Sequence, residues 1–153
     1  MPAPTRSDPG LSTREEVAVS SAAMSGAPWA AAGVTGAVVA AGDLGLHLIG
    51  GSIFSLHALS GSLSLGLVAL LVVAAGGAAL SKRGGRTARW VRNNPWRFAM
   101  VPALACAAIV FVLSVVLGGG IFGGVFSALW HGAATYGLTG AVGSFASSRR
   151  KRD

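Results

Sequence analysis

Charge is what this chain has least of. Only 11% of its 153 residues are Asp, Glu, Lys or Arg, whereas a domain wetted by water on all sides carries about 25%. Acidic groups are scarcer still, five against twelve Lys and Arg. No paired carboxylates and no Ser-His-Asp, HExxH or GxSxG arrangement occur, so an enzyme is not expected. Cys106 is the only cysteine, which excludes an intramolecular disulfide, a CxxC zinc site and a thiol redox pair within one chain. Its place in an apolar run reads as a small buried hydrophobe, not a catalytic thiolate.

In place of charge the chain has apolar residues, 52% of the total, mostly Ala, Val, Leu and Gly in long runs. Four runs approach the ~20 residues that cross a ~30 Å hydrocarbon layer: 29–49, 60–80, 98–117 and 125–145. The second and third are the purest. The first is diluted by Gly33, Gly36, Gly42 and Gly45 and includes Asp43 and His47. The expected fold class is therefore all-α, an integral membrane four-helix bundle of two tandem transmembrane hairpins spanning 27–147. Pro102 is expected in the first turn of the third run, marking a start and not a kink.

Segment 1–26 is polar, mixes both signs of charge, and lacks the apolar core and cleavage site of a secretory signal. It reads as a cytosolic tail, either disordered or a short amphipathic helix. Ser12 and Glu15 match the S/T-x-x-E capping box, which starts such a helix near Thr13 and runs it to Met24.

The net charge of +7 is clustered. Lys82, Arg83, Arg86, Arg89, Arg92 and Arg97 fill the loop 81–97, and Arg149, Arg150, Lys151 and Arg152 lie in the tail 148–153. Short basic loops stay on the cytoplasmic side. Both basic segments, and the N-terminus by parity of four crossings, are thus expected in the cytoplasm of a cell-membrane protein, with the uncharged link 118–124 as a flexible outer turn. Trp29, Trp90 and Trp96 flank the inner boundary, where indoles bridge apolar and wet zones. The basic loop is read as a lipid head-group contact worth about 1 kcal/mol per cation, and not as a nucleic-acid site. The glycines of 118–124 lack the Lys-Ser/Thr ending of a P-loop. A repeat adds to the two-hairpin plan: Gly50-Gly51-Ser52-Ile53-Phe54 matches Gly118-Gly119-Gly120-Ile121-Phe122, and Ser81-Lys82-Arg83 matches Ser148-Arg149-Arg150. Two such units would share one orientation.

Lipid supplies no hydrophobic drive between helices, so small residues must let backbones approach. Ala32, Gly36 and Ala40 line one face of the first run, Ala133, Gly137 and Ala141 one face of the fourth, and Ser62 and Gly66 a shorter stripe on the second. These faces predict packing within the chain and with a partner, either a second copy or another membrane protein.

The ionisable groups inside the runs are few. Asp43 and His47 share a face at i, i+4, and His131 is expected at the same depth, about 9 Å below the outer ends. With His57 and Tyr136 peripheral, they predict a polar cluster facing the bundle interior that relays protons, binds a cation or lines a watery vestibule. The plainer alternative has Asp43 and His47 capping a break at Gly42 to Gly45, and His57 and His131 reaching for interfacial water. Histidine pairs also suggest Zn²⁺, Cu²⁺ or axial haem ligation, but HxxxH and CxxCH spacings are lacking, so no metal or cofactor is expected. The function expected is a structural or accessory membrane subunit. The alternatives are a small transporter, channel or holin-like pore former using the Asp/His cluster, and, after that, a membrane haem or metal protein.

Overall fold

A computed structural model describes residues 12–50, 55–80 and 86–149, and every regular element among them is helical. Lys82 and Arg83, most of the first glycine repeat, and the chain beyond Arg149 lie outside the described residues.

Helix α1, Thr13–Ser25, begins on the Ser12–Glu15 capping box. Ser12 Oγ accepts from the Glu15 N–H (3.4 Å), and the Glu15 carboxylate accepts from the Ser12 N–H (2.9 Å) and hydroxyl (2.8 Å). Beyond its end, Ala27, with Ala23 and Met24, packs on a buried cluster of Ala75, Ala78, Ala79, Val91 and Phe98, which Trp90 also covers. Glu16 pairs with Arg97. Segment 12–27 is thus docked against the end of the molecule that bears the basic loop.

Helix α2, Trp29–Ile49, runs without interruption through Gly42 and Gly45. No break exists there for Asp43 and His47 to cap. Helix α3, Leu56–Leu80, starts ahead of its apolar run because the Ser55 hydroxyl accepts from the Ala58 N–H (3.0 Å), supplying a cap. The two helices are antiparallel, with Gly36 against Gly66 and Pro28 against Gly77. Only Ala32 and Gly36 of α2 are buried, because α2 packs on α3 alone among the described helices. Helix α3 is the central element, touching α2, α5 and α6.

A short helix α4, Arg86–Asn93, lies within the basic loop and buries Val91. Helix α5, Pro95–Ser114, starts at Pro95, whose fixed φ and missing N–H suit a first turn. Pro102 is therefore not a helix start: it sits buried inside α5, where its ring removes the N–H that would bond the Phe98 carbonyl.

From Ser114 the chain passes through a kinked turn, Val115–Gly119, in which Leu117 and Gly118 are not helical, into α6, Gly120–Arg149. The direction reverses at 117–120, where Gly118 (φ 91°) and Gly120 (φ 65°) take conformations open to glycine. The link expected over 118–124 is thus a tight reversal, and Ile121 to Gly124 already belong to α6. The arms lie antiparallel. A Cβ on Gly143 would stand 2.8 Å from Pro95 Cβ, one on Gly132 3.0 Å from Ala107 Cβ, and one on Gly124 3.2 Å from the Phe111 ring. A second core cluster, Val68, Leu71, Cys106 and Val110, joins α3 to α5.

Three helical stretches are long and apolar enough to cross a membrane: Trp29–Ile49, Leu56–Leu80 and Pro95–Phe145. The last, 51 residues long, is the one folded back on itself at 117–120.

Candidate functional site

The polar residues of the runs fall into two sites separated by α3. On its α2 side, the Ser62 hydroxyl donates to Asp43 Oδ2 (2.7 Å), and His47 Nε2 lies 3.7 Å from the same oxygen. The i, i+4 spacing on an unbroken α2 brings His47 to Asp43, while the antiparallel register with α3 brings Ser62 opposite. Ser62 is buried, and Asp43 and His47 are both partly exposed.

On the other side of α3, a cleft of about 290 Å³ opens near the glycine reversal. Its walls include His57 and Ser60 from the start of α3, Ser114 from the end of α5, Gly119 of the turn, and Ser127 and His131 from α6. His131 Nδ1 is 2.8 Å from the Ser127 carbonyl oxygen. A carbonyl can only accept, so Nδ1 carries the proton and Nε2 is left with the lone pair in the neutral ring. The Ser127 hydroxyl is 3.3 Å from the same nitrogen. His57 is exposed in the first turn of α3.

Asp43 and His131 are therefore not brought together. Helix α2 does not reach α6, and their depths differ. Asp43 lies six residues from the end of α2, about 9 Å, whereas His131 lies eleven residues from the start of α6, about 16 Å. The earlier start of α6 produces that difference. Tyr136 is elsewhere again, its ring 5.4 Å from that of Trp96 toward the basic end of the molecule. Among the described residues no three of His, Cys, Asp and Glu gather into a metal-ligating group. Cys106 is buried, with its sulfur 3.9 Å from the His131 carbonyl oxygen.

The small-residue faces divide as well. Ala32 and Gly36 are buried against α3, and Ala40 abuts Gly66. Ala133 is exposed, Gly137 and Ala141 are half-buried, and a Cβ on Gly137 would meet nothing within 4 Å. The face of α6 that meets α5 is instead that of Gly132, Gly140 and Gly143. At the basic end Arg97 is engaged by Glu16, and Arg89 is exposed. The side chain of Arg86 lies outside the described residues.

Three polar residues of these sites were not placed in a polar cluster by the sequence. Ser62 reads there as part of a packing stripe. Ser127 stands at i, i+4 from His131, a spacing that brings the two together. Ser114 joins the cleft only through the reversal of the chain. Comparison with family models, curated proteins and solved structures finds no match, so the chemistry assigned to either site rests on its own residues.

Proposed function

We propose that the chain is an integral cell-membrane protein that crosses the bilayer four times, with both termini cytoplasmic, and acts as a structural or accessory subunit packing with a second copy of itself or a membrane partner. Four crossings follow if the two arms of Pro95–Phe145 each traverse the lipid, as their antiparallel packing and apolar composition favour. Orientation rests on the basic residues of 81–97 and 148–153. The observation that carries the accessory role is the Ala133, Gly137 and Ala141 face. It is the kind of surface that lets helix backbones approach in lipid, and α5 does not use it.

Self-association tests this reading. Purified in mild detergent, the chain is expected to have the mass of a dimer or larger assembly, and Gly137→Leu, whose Cβ meets nothing within 4 Å among the described residues, is expected to release monomers. A monomeric parent that also recovers no membrane partner would refute the role. A reporter fused after Arg152 that emerged outside would refute the orientation.

The cleft favours a second reading, a small transporter, channel or holin-like pore former, since a polar recess among apolar helices is where solute or ion paths lie. It places the path at His57 and His131, and not at Asp43. Solute leakage or conductance in liposomes holding only this protein would select it over the first.

A further inference from the structure

We propose that the cleft walled by His57, Ser114 and His131 is a binding site for a small monovalent inorganic anion, of the chloride or nitrate class. The proposal does not rest on the accessory role, so failure of the Gly137→Leu test leaves it standing.

Two long helices begin at this cleft. His57 is the second residue of the 25-residue α3, and Gly123, which also lines the cleft, is in the first turn of the 30-residue α6. Each helix start carries the positive end of a dipole, equivalent to about half a charge, although at α3 the Ser55 hydroxyl already takes one of the terminal N–H groups, that of Ala58. Such ends favour anions.

Ser114 supplies the independent sign of a ligand. It is 6% exposed and part of the cleft wall. Two other buried hydroxyls turn back to the carbonyl four residues earlier, Ser64 to Ser60 and Thr135 to His131, and that of Ser62 donates to Asp43. The Ser114 hydroxyl makes no hydrogen bond among the described residues. Ser20 and Thr139 share that lack, but neither lines the cleft. A hydroxyl at the wall of a recess, on a residue otherwise enclosed by helices, is a donor open to an acceptor in that recess.

The remaining wall chemistry has the same sign. The cleft contains no carboxylate, so a cation would find no counter-charge. His131 Nδ1 is committed to the Ser127 carbonyl, and protonation at Nε2 adds a positive donor. His57 does the same at the mouth. From the elements packed around them, α5 offers only Cys106 and, at its far basic end, Arg97, and α6 beyond His131 only Tyr136 and its last residue, Arg149. Helix α2 offers Asp43 and His47, which face the opposite side of α3 at Ser62.

The test is ³⁵Cl NMR line broadening by the full chain in detergent micelles. Expected is excess broadening that nitrate competes away. The double variant H57A/H131A should abolish it while leaving the basic loop and tail intact. Gly61→Leu and Gly123→Leu guard against variants that merely misfold. Both glycines line the cleft, a Cβ on either meets nothing within 4 Å, and Leu is the better helix former. These plugs should keep helicity and lose the nitrate-sensitive broadening. Broadening that survives the histidine changes and both plugs, or that nitrate does not reverse, overturns the proposal. So does saturable Zn²⁺ binding that requires both histidines without any chloride signal.

Discussion

Gly36 of α2 and Gly66 of α3 face each other so closely that a Cβ built on either would lie 2.7 Å from the other's carbonyl oxygen. The atom in the way is backbone and cannot rotate aside, so any larger residue forces the helices apart. Because α2 has no other neighbour among the described helices, its packing depends on this crossing. Gly36→Ala or Gly66→Ala should destabilise the protein by about 1–3 kcal/mol, read from SDS-titrated unfolding by circular dichroism. Gly33→Ala, where a Cβ meets nothing within 4 Å, should be neutral or mildly stabilising. Equal losses at all three positions would contradict the close crossing.

The hydrogen bond from Ser62 to Asp43 is the polar counterpart of that crossing. Interhelical bonds of this type contribute about 0.6 kcal/mol on average and up to about 1.7. Ser62→Ala should cost an amount in that range, and Asp43→Asn less, since an amide oxygen still accepts. In a double-mutant cycle with Asp43→Ala, the two changes should cost less together than the sum of each alone. Strict additivity would show that the pair does not interact.

At the other end of the chain, Glu15 titrates with the start of α1. The Ser12 backbone N–H, and then its hydroxyl, hold the Glu15 carboxyl below its ordinary value. A group with a lowered folded value stabilises α1 above the unfolded value and loses that effect as pH falls through the folded one. Amide hydrogen exchange in α1 should therefore accelerate, relative to α3, as the pH drops below the ordinary carboxylate range. Glu15→Gln should remove that pH dependence. Exchange in α1 that ignores pH in the parent protein would show that the cap has no weight.

Much of the architecture can be read from local pattern, because helix formation in apolar runs is decided within a few turns. The run of 29–49 coincides with α2 and the S-x-x-E signature with the start of α1. Pro102 shows where local reading fails. Proline is acceptable at a helix start and costly inside one, but Pro95 had already begun α5, and burial keeps Pro102 within it. The polar cluster fails for another reason. Asp43, His47 and His131 share a character and a rough distance from the run ends, yet whether they meet depends on which helices touch.

Composition and spacing alone determined that the chain is helical, that its apolar stretches are long enough to span a bilayer, and that Asp43 pairs with His47, since all of these depend on neighbours a few residues apart. Tertiary structure decided that α3 stands between α2 and α6, parting Asp43 from His131, and that the reversal at Gly118 to Gly120 folds Ser114 into a cleft with His57. Those outcomes depend on crossing points such as Gly36 against Gly66 and Gly132 against Ala107. There, backbone clearance between residues tens of positions apart selects which faces meet.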